Sequence, residues 1–231
     1  MRALRLTPAI FLVLAACGGQ PEAVPRRSDG MPLVGMLAAP SAPAVRDLRS
    51  GRFSEARAQL EEALSRNPEG MAALNDLAVS YAMEERFDAA RHLFEEVIAR
   101  GTPREQQAAL VNLGEIYALD SYSSAAETYL TSAKAVDPSR PEPSYALALL
   151  ADARGDRASS LSAVREALES DRGALARRDL AFLYPEERLH FEALLAEASG
   201  DVVTAMARWR ELARGHFPAL AQLAQRRLEE P

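Results

Sequence analysis

The sequence predicts an all-α solenoid of about five helix-turn-helix repeats, closed by a C-terminal capping helix. Three observations carry this. First, Ala, Leu, Glu and Arg dominate the 231 residues, aromatics are only 6%, and β-branched residues are scarce, a mix that favours helices over strands. Second, GRFSEARAQLEEALSRNP at 51–68 recurs as ERFDAARHLFEEVIARGTP at 85–103, so that Ala56 aligns with Ala90 and Leu60 with Phe94, 34 positions on. Third, punctuation falls at regular places. Asn67-Pro68 and Asp137-Pro138 end helices, and Gly51, Gly155 and Gly200 sit at turns between paired helices.

In chain order, residues 1–16 read as a signal peptide. Arg2 and Arg5 give a positive start, Ile10 to Ala16 an apolar stretch, and small residues precede Cys17. The stretch is shorter than the roughly 20 residues that a membrane-spanning helix needs. By itself it leaves three readings open: a buried N-terminal helix, a plain cleaved signal, or an attachment point at Cys17. Leu14-Ala15-Ala16-Cys17 resembles the lipobox of bacterial lipoproteins. That resemblance implies lipidation of Cys17, cleavage just before it, and a membrane anchor of two or more acyl chains. Gly18, in place of Asp, implies sorting to the outer membrane. Residues 17–43 then form a Pro-, Gly- and Ala-rich linker, flexible and on the order of 30 Å across, and 44–231 the folded domain.

The first repeat, about 37–70, keeps its second helix, while its first is short and Pro-rich. The second, about 71–104, carries Leu77, Ala78 and Tyr81, then Ala90, Phe94 and Val97. The third, about 107–140, has Leu113-Gly114 with Tyr117, then Ala126, Leu130, Ala133 and Pro138. The fourth, about 141–174, and the fifth, about 186–219, repeat the pattern with Ala148, Ser160, Val164, Ala193, Ala205 and Trp209. Small residues let two helices approach, and the large ones fill the gap to the next repeat. Residues 175–185 fall out of phase and predict an extra helix or a rebuilt junction. Residues 219–229 predict the closing helix, which covers the last apolar face.

These positions resemble the tetratricopeptide repeat (TPR), whose period is 34 and whose first helix carries L-G-x-x-Y. The resemblance implies a concave face built by the first helix of each repeat. Its inner positions here include Asn75, Val79, Met83, Val111, Asn112, Glu115, Tyr145, Leu149 and Asp152. This face is apolar with scattered amides and carboxylates. It suits an apolar or amphipathic segment of a partner protein. Val79 stands where a carboxylate-clamping TPR module needs Asn, so capture of a terminal carboxylate is not expected.

Other chemistry finds little support. The single cysteine excludes an intramolecular disulfide. The three histidines, at 92, 190 and 216, have no partner at metal-ligand spacing, and no nucleotide, hydrolase or metalloprotease motif occurs. Neither enzymatic activity nor a cofactor or metal is expected. A net charge of −6 argues against nucleic-acid binding. Lipobox, linker and repeats together are similar in architecture to the pilotin lipoproteins of type IV pilus systems, which help the secretin channel reach and assemble in the outer membrane. That similarity implies a periplasm-facing, outer-membrane-anchored scaffold. An adaptor presenting cell-wall enzymes, or a lipoprotein of a gliding-motility or secretion machine, fits the same residues.

Overall fold

The computed structural model describes residues 36–38, 43–120, 122–174, 176, 177, 180, 182 and 184–229. The expected signal peptide, Cys17 and most of the linker lie outside them. Among the described residues there are eleven helices and no strand. They are α1 (Pro43–Arg49), α2 (Phe53–Arg66), α3 (Met71–Met83), α4 (Phe87–Arg100), α5 (Pro103–Leu119), α6 (Ser123–Val136), α7 (Glu142–Ala153), α8 (Arg157–Ser170), α9 (Pro185–Ala198), α10 (Val202–Leu212) and α11 (Pro218–Glu229). Each packs on the next in sequence, with α7 against α8 and α8 against α9 carrying the stack past the out-of-phase segment. Within that segment Leu180 is buried in the C-terminal core and Phe182 packs against it. The short first helix and the closing helix are both found where the sequence places them.

The two helices of a repeat do different work. The second helices bury a narrow stripe: Ala90, Phe94 and Val97 in α4, Ala126, Leu130 and Ala133 in α6, Ala205, Trp209 and Leu212 in α10. That spacing is one face of a 3.6-residue period. The first helices α3, α5 and α7 bury most of their circumference, because they have a partner helix on one side and a concave lining on the other. Two apolar clusters result. One runs from Met36 to Leu150, the other from Tyr145 to Ala224, and α7 contributes to both.

Helix ends are set by local chemistry. Thr102 and Glu105 form a capping box around Pro103, with the Thr102 N–H donating to Glu105 Oε2 at 2.7 Å. Asp156 and Asp201 accept from the backbone N–H of Ser159 and Thr204 at 3.0 Å and start α8 and α10. Gln107 of α5 donates to the carbonyls of Ala133 and Asp137, both at 2.9 Å, and so satisfies the end of the neighbouring α6. The turn within a repeat needs a positive φ, supplied by Gly51, Gly155 and Gly200; Glu85 takes the same turn at φ 60. Gly114 serves close approach instead. A Cβ built there would lie 2.9 Å from two carbons of Leu130 and 3.3 Å from the Ala126 carbonyl.

The C-terminal half is tied by a buried polar network. Asp152 of α7 accepts from His190 Nε2 of α9 at 2.6 Å and from Arg227 of α11. Burial pushes the Asp152 carboxyl up, but the His190 hydrogen bond and the Arg227 charge outweigh it and hold it below the usual carboxylate range. Glu197 continues the network, accepting from Arg157 Nε at 2.6 Å and Trp209 Nε1 at 3.1 Å.

Two expectations follow. Gly114→Val should overpack the α5–α6 contact and destabilise the chain by about 1–3 kcal/mol. Gly114→Ala should cost less, because helix propensity returns up to about 1 kcal/mol. Thermal unfolding by circular dichroism reads both. Asp152→Ala should cost about 3–5 kcal/mol, since it leaves Arg227 and His190 buried without their acceptor. A melting temperature lower by on the order of 10 °C is expected, and an unchanged one would assign the network no structural role.

Candidate functional site

The concave face begins with three buried polar residues: Asn75 and Asp76 in α3, Asn112 in α5. Asp76 and Asn112 hold the same place in successive repeats, one residue before Leu77-Ala78 and Leu113-Gly114. The inward helical face brings their side chains to one line.

That line is occupied by the chain itself. The Met36 N–H donates to Asn112 Oδ1 at 2.6 Å, and the Met36 carbonyl accepts from Asn112 Nδ2 and from Asn75 Nδ2, each at 2.9 Å. One asparagine thereby satisfies both polar groups of one residue, which a primary amide can do because it carries donor and acceptor side by side. Two residues on, the Ala38 N–H donates to Asp76 Oδ1 at 2.8 Å. Asn75 Nδ2 also donates to Asp76 Oδ1 at 3.0 Å, and Asn112 Nδ2 to Asn75 Oδ1 at 3.2 Å, so the three side chains orient one another. Met36, Leu37 and Ala38 are themselves buried in the first apolar cluster. These residues, read from sequence as the end of a flexible linker, are held in the groove.

The other inner positions divide. Val79, Met83 and Val111 pack into the first cluster. Tyr145 and Leu149 belong to the second, where the Tyr145 ring meets Phe191 edge-on at 5.2 Å and its hydroxyl donates to Asp171 Oδ2 at 3.0 Å. Burial pushes the Tyr145 phenol up. Asp152 is taken by His190 and Arg227. Of the nine residues that the sequence places on the concave face, Asn75 and Asn112 therefore hold a peptide segment, while Tyr145, Leu149 and Asp152 are packed inside the fold. Tyr145 and Leu149 pack in one cluster with Leu180 and Phe191, and Asp152 is enclosed with His190 and Arg227. The sequence reading missed Asp76, whose place between Asn75 and Leu77 on an apolar helix was the available signal.

Glu115 is the anomaly. It is buried, and neither carboxylate oxygen has a hydrogen-bond partner. Burial pushes its carboxyl well above the usual range, and the charge of Glu187 adds to that. The arrangement of the site is thus a receptor for main chain, with a buried acid on the same helix as Asn112. Among the described residues no group of three or more His, Cys, Asp or Glu side chains could hold a metal. Beside Met36 and Leu37 a cavity of about 380 Å³ opens, rimmed by Arg104, Arg140 and Arg172.

Because Glu115 holds its proton in the fold to a higher pH than in the unfolded chain, stability falls as pH rises above the ordinary carboxylate range. Glu115→Gln removes that loss. The variant should melt several degrees above the parent near pH 7.5 and level with it near pH 4, as read by thermal unfolding across pH. Parallel profiles would place an ordinary carboxylate at 115.

The family model described as tetratricopeptide repeat matches residues 44–91 and 84–141. No curated protein matches the chain with significance. Among solved structures, a thermophilic TPR protein of Thermus thermophilus is similar over 82% of this chain and 97% of its own, at 20% identity and a TM-score of 0.57. MamA of Desulfovibrio magneticus covers 79% of this chain and 92% of its own at 18% identity and a TM-score of 0.44. PilW, a type IV pilus biogenesis factor, covers 78% and 94% at 16% identity and a TM-score of 0.35. Residues 44–141 are therefore tetratricopeptide repeats, and the helical array that continues to residue 229 has the fold of a TPR solenoid.

Proposed function

We propose that this chain is a non-catalytic protein-interaction scaffold, held at the bacterial outer membrane by lipid on Cys17 and facing the periplasm, where it assists assembly of an envelope machine in the manner of a secretin pilotin. TPR solenoids bind protein partners along their inner surface. The observation that supports the scaffold reading is the clamp of Asn75, Asp76 and Asn112 on the main chain of residues 36–38. The anchor and the compartment rest on Leu14-Ala15-Ala16-Cys17 after a charged and apolar start. The pilotin role rests on the combination of lipobox, linker and repeat array, and not on the likeness to the solved pilus factor.

Cys17→Ala should abolish both fractionation with membranes and metabolic labelling by a fatty acid, while the helical content stays unchanged. Labelling that persists in the variant would overturn the anchor. Deletion of the gene, followed by a gel for secretin multimers, separates the roles. Loss of multimers supports the pilotin reading, and normal multimers with normal piliation refute it in favour of an adaptor elsewhere in the envelope.

A further inference from the structure

We infer that residues 36–38 are a built-in ligand, occupying a clamp that also takes an extended, uncharged, apolar segment of a partner protein, so that a partner must displace the chain's own segment to bind. The inference deepens the scaffold reading and rests on it, but it is independent of the anchor at Cys17.

The bonds carry the argument. Among the described residues, four hydrogen bonds join Asn75, Asp76 and Asn112 to the segment, and each goes to a main-chain atom: the N–H and carbonyl of Met36 and the N–H of Ala38. Recognition of this kind does not depend on which side chains the strand carries, so any extended segment with uncharged residues of suitable size can make the same set. The side chains that accompany it, Met36 and Leu37, are 3% and 6% exposed, so the clamp favours apolar residues and penalises a charge there. The three side chains also bond one another, Asn75 to Asp76 at 3.0 Å and Asn112 to Asn75 at 3.2 Å, so the clamp is pre-oriented for main chain whichever segment fills it.

Four residues, 39–42, separate the clamp from the start of α1 at Pro43, so the segment is tethered close to the site that it occupies. In cis, a tethered segment competes at an effective concentration in roughly the millimolar range. If the segment itself holds the clamp with a dissociation constant of about ten micromolar, a partner binds the intact chain about a hundredfold more weakly than the empty clamp.

The test uses the full chain and a fluorescent peptide of residues 33–40, LVGMLAAP. Leu37→Asp places a charge in the buried segment and should expel it. Met36→Pro with Ala38→Pro removes both N–H donors and should do the same without adding charge. Both should bind the peptide at least tenfold more tightly than the parent, by fluorescence anisotropy, and Asn112→Ala introduced into either should abolish that gain. If both expelled variants keep their helical circular dichroism yet bind the peptide no better than the parent, the segment is a fixed structural staple and the proposal fails. Equal binding with and without Asn112→Ala would overturn it too. Dimerisation of the parent that Asn112→Ala dissolves would assign the clamp to a second copy and overturn the cis ligand. Failure of the membrane fractionation experiment leaves these outcomes unchanged.

Discussion

The close approach of paired helices at small side chains is the constraint from which the rest of the structure follows. Ala78 and Ala148 on first helices, and Ala90, Ala126 and Ser160 on second helices, are all buried at the seam, and Gly114 of α5 is buried with them. Gly114 shows the tolerance most directly, because Leu130 and the Ala126 carbonyl already stand where its Cβ would be. The large residues Phe94, Leu130 and Trp209 are buried from the second helices, Leu130 directly over Gly114 and Trp209 beside His190 of its own repeat, and stacking of the repeats encloses them. The stack in turn lines up one inner position per repeat, and that alignment puts Asp76 and Asn112 within reach of one strand.

A second theme is how polar groups are accommodated in an interior that the stack keeps dry. Asp152 is shared between His190 and Arg227, Glu197 between Arg157 and Trp209, and Asp171 takes the Tyr145 hydroxyl together with the Ala176 N–H at 2.9 Å. These ties concentrate in the C-terminal half, where the phase of the repeats breaks and the closing helix α11 has to be fixed. The N-terminal half uses its buried amides differently, on a segment of main chain. The two halves have the same architecture but commit their polar interior to different tasks, one to locking helices and the other to holding a strand.

Much of this is legible in the sequence because the repeat imposes it locally. The 34-residue period, the small residues at the seam and the helix-ending Asn-Pro and Asp-Pro pairs each act over a few residues, and the helices stand where those signals put them. Asn75 and Asn112 are legible as inward residues for the same reason. Their occupant is not. Residues 36–38 lie in a stretch whose Gly, Pro and Ala content reads as linker, and a strand held through its main chain leaves no trace in its own side chains. Tyr145, Leu149 and Asp152 read as part of an open face because their position in the repeat is inner. Their burial depends on Phe191, His190 and Arg227, which lie dozens of residues away and belong to no repeat rule. His190 in turn carries no local mark that sets it apart from any other helical histidine; only Asp152, across the interior, gives it a role.

The clamp also has a sense of direction. The N–H of Met36 goes to the third repeat and the N–H of Ala38, two residues later, to the second. Both repeats also hold the Met36 carbonyl, through Asn75 and Asn112, so they share Met36 and only the second takes Ala38. The strand therefore runs against the order in which the chain builds its repeats. Turned end for end, it would bring a carbonyl oxygen to Asp76, whose carboxylate accepts, whereas the Asn112 amide can meet either group. Direction in this groove is thus set by one carboxylate, Asp76, while the two amides beside it are indifferent to which end of the main chain leads.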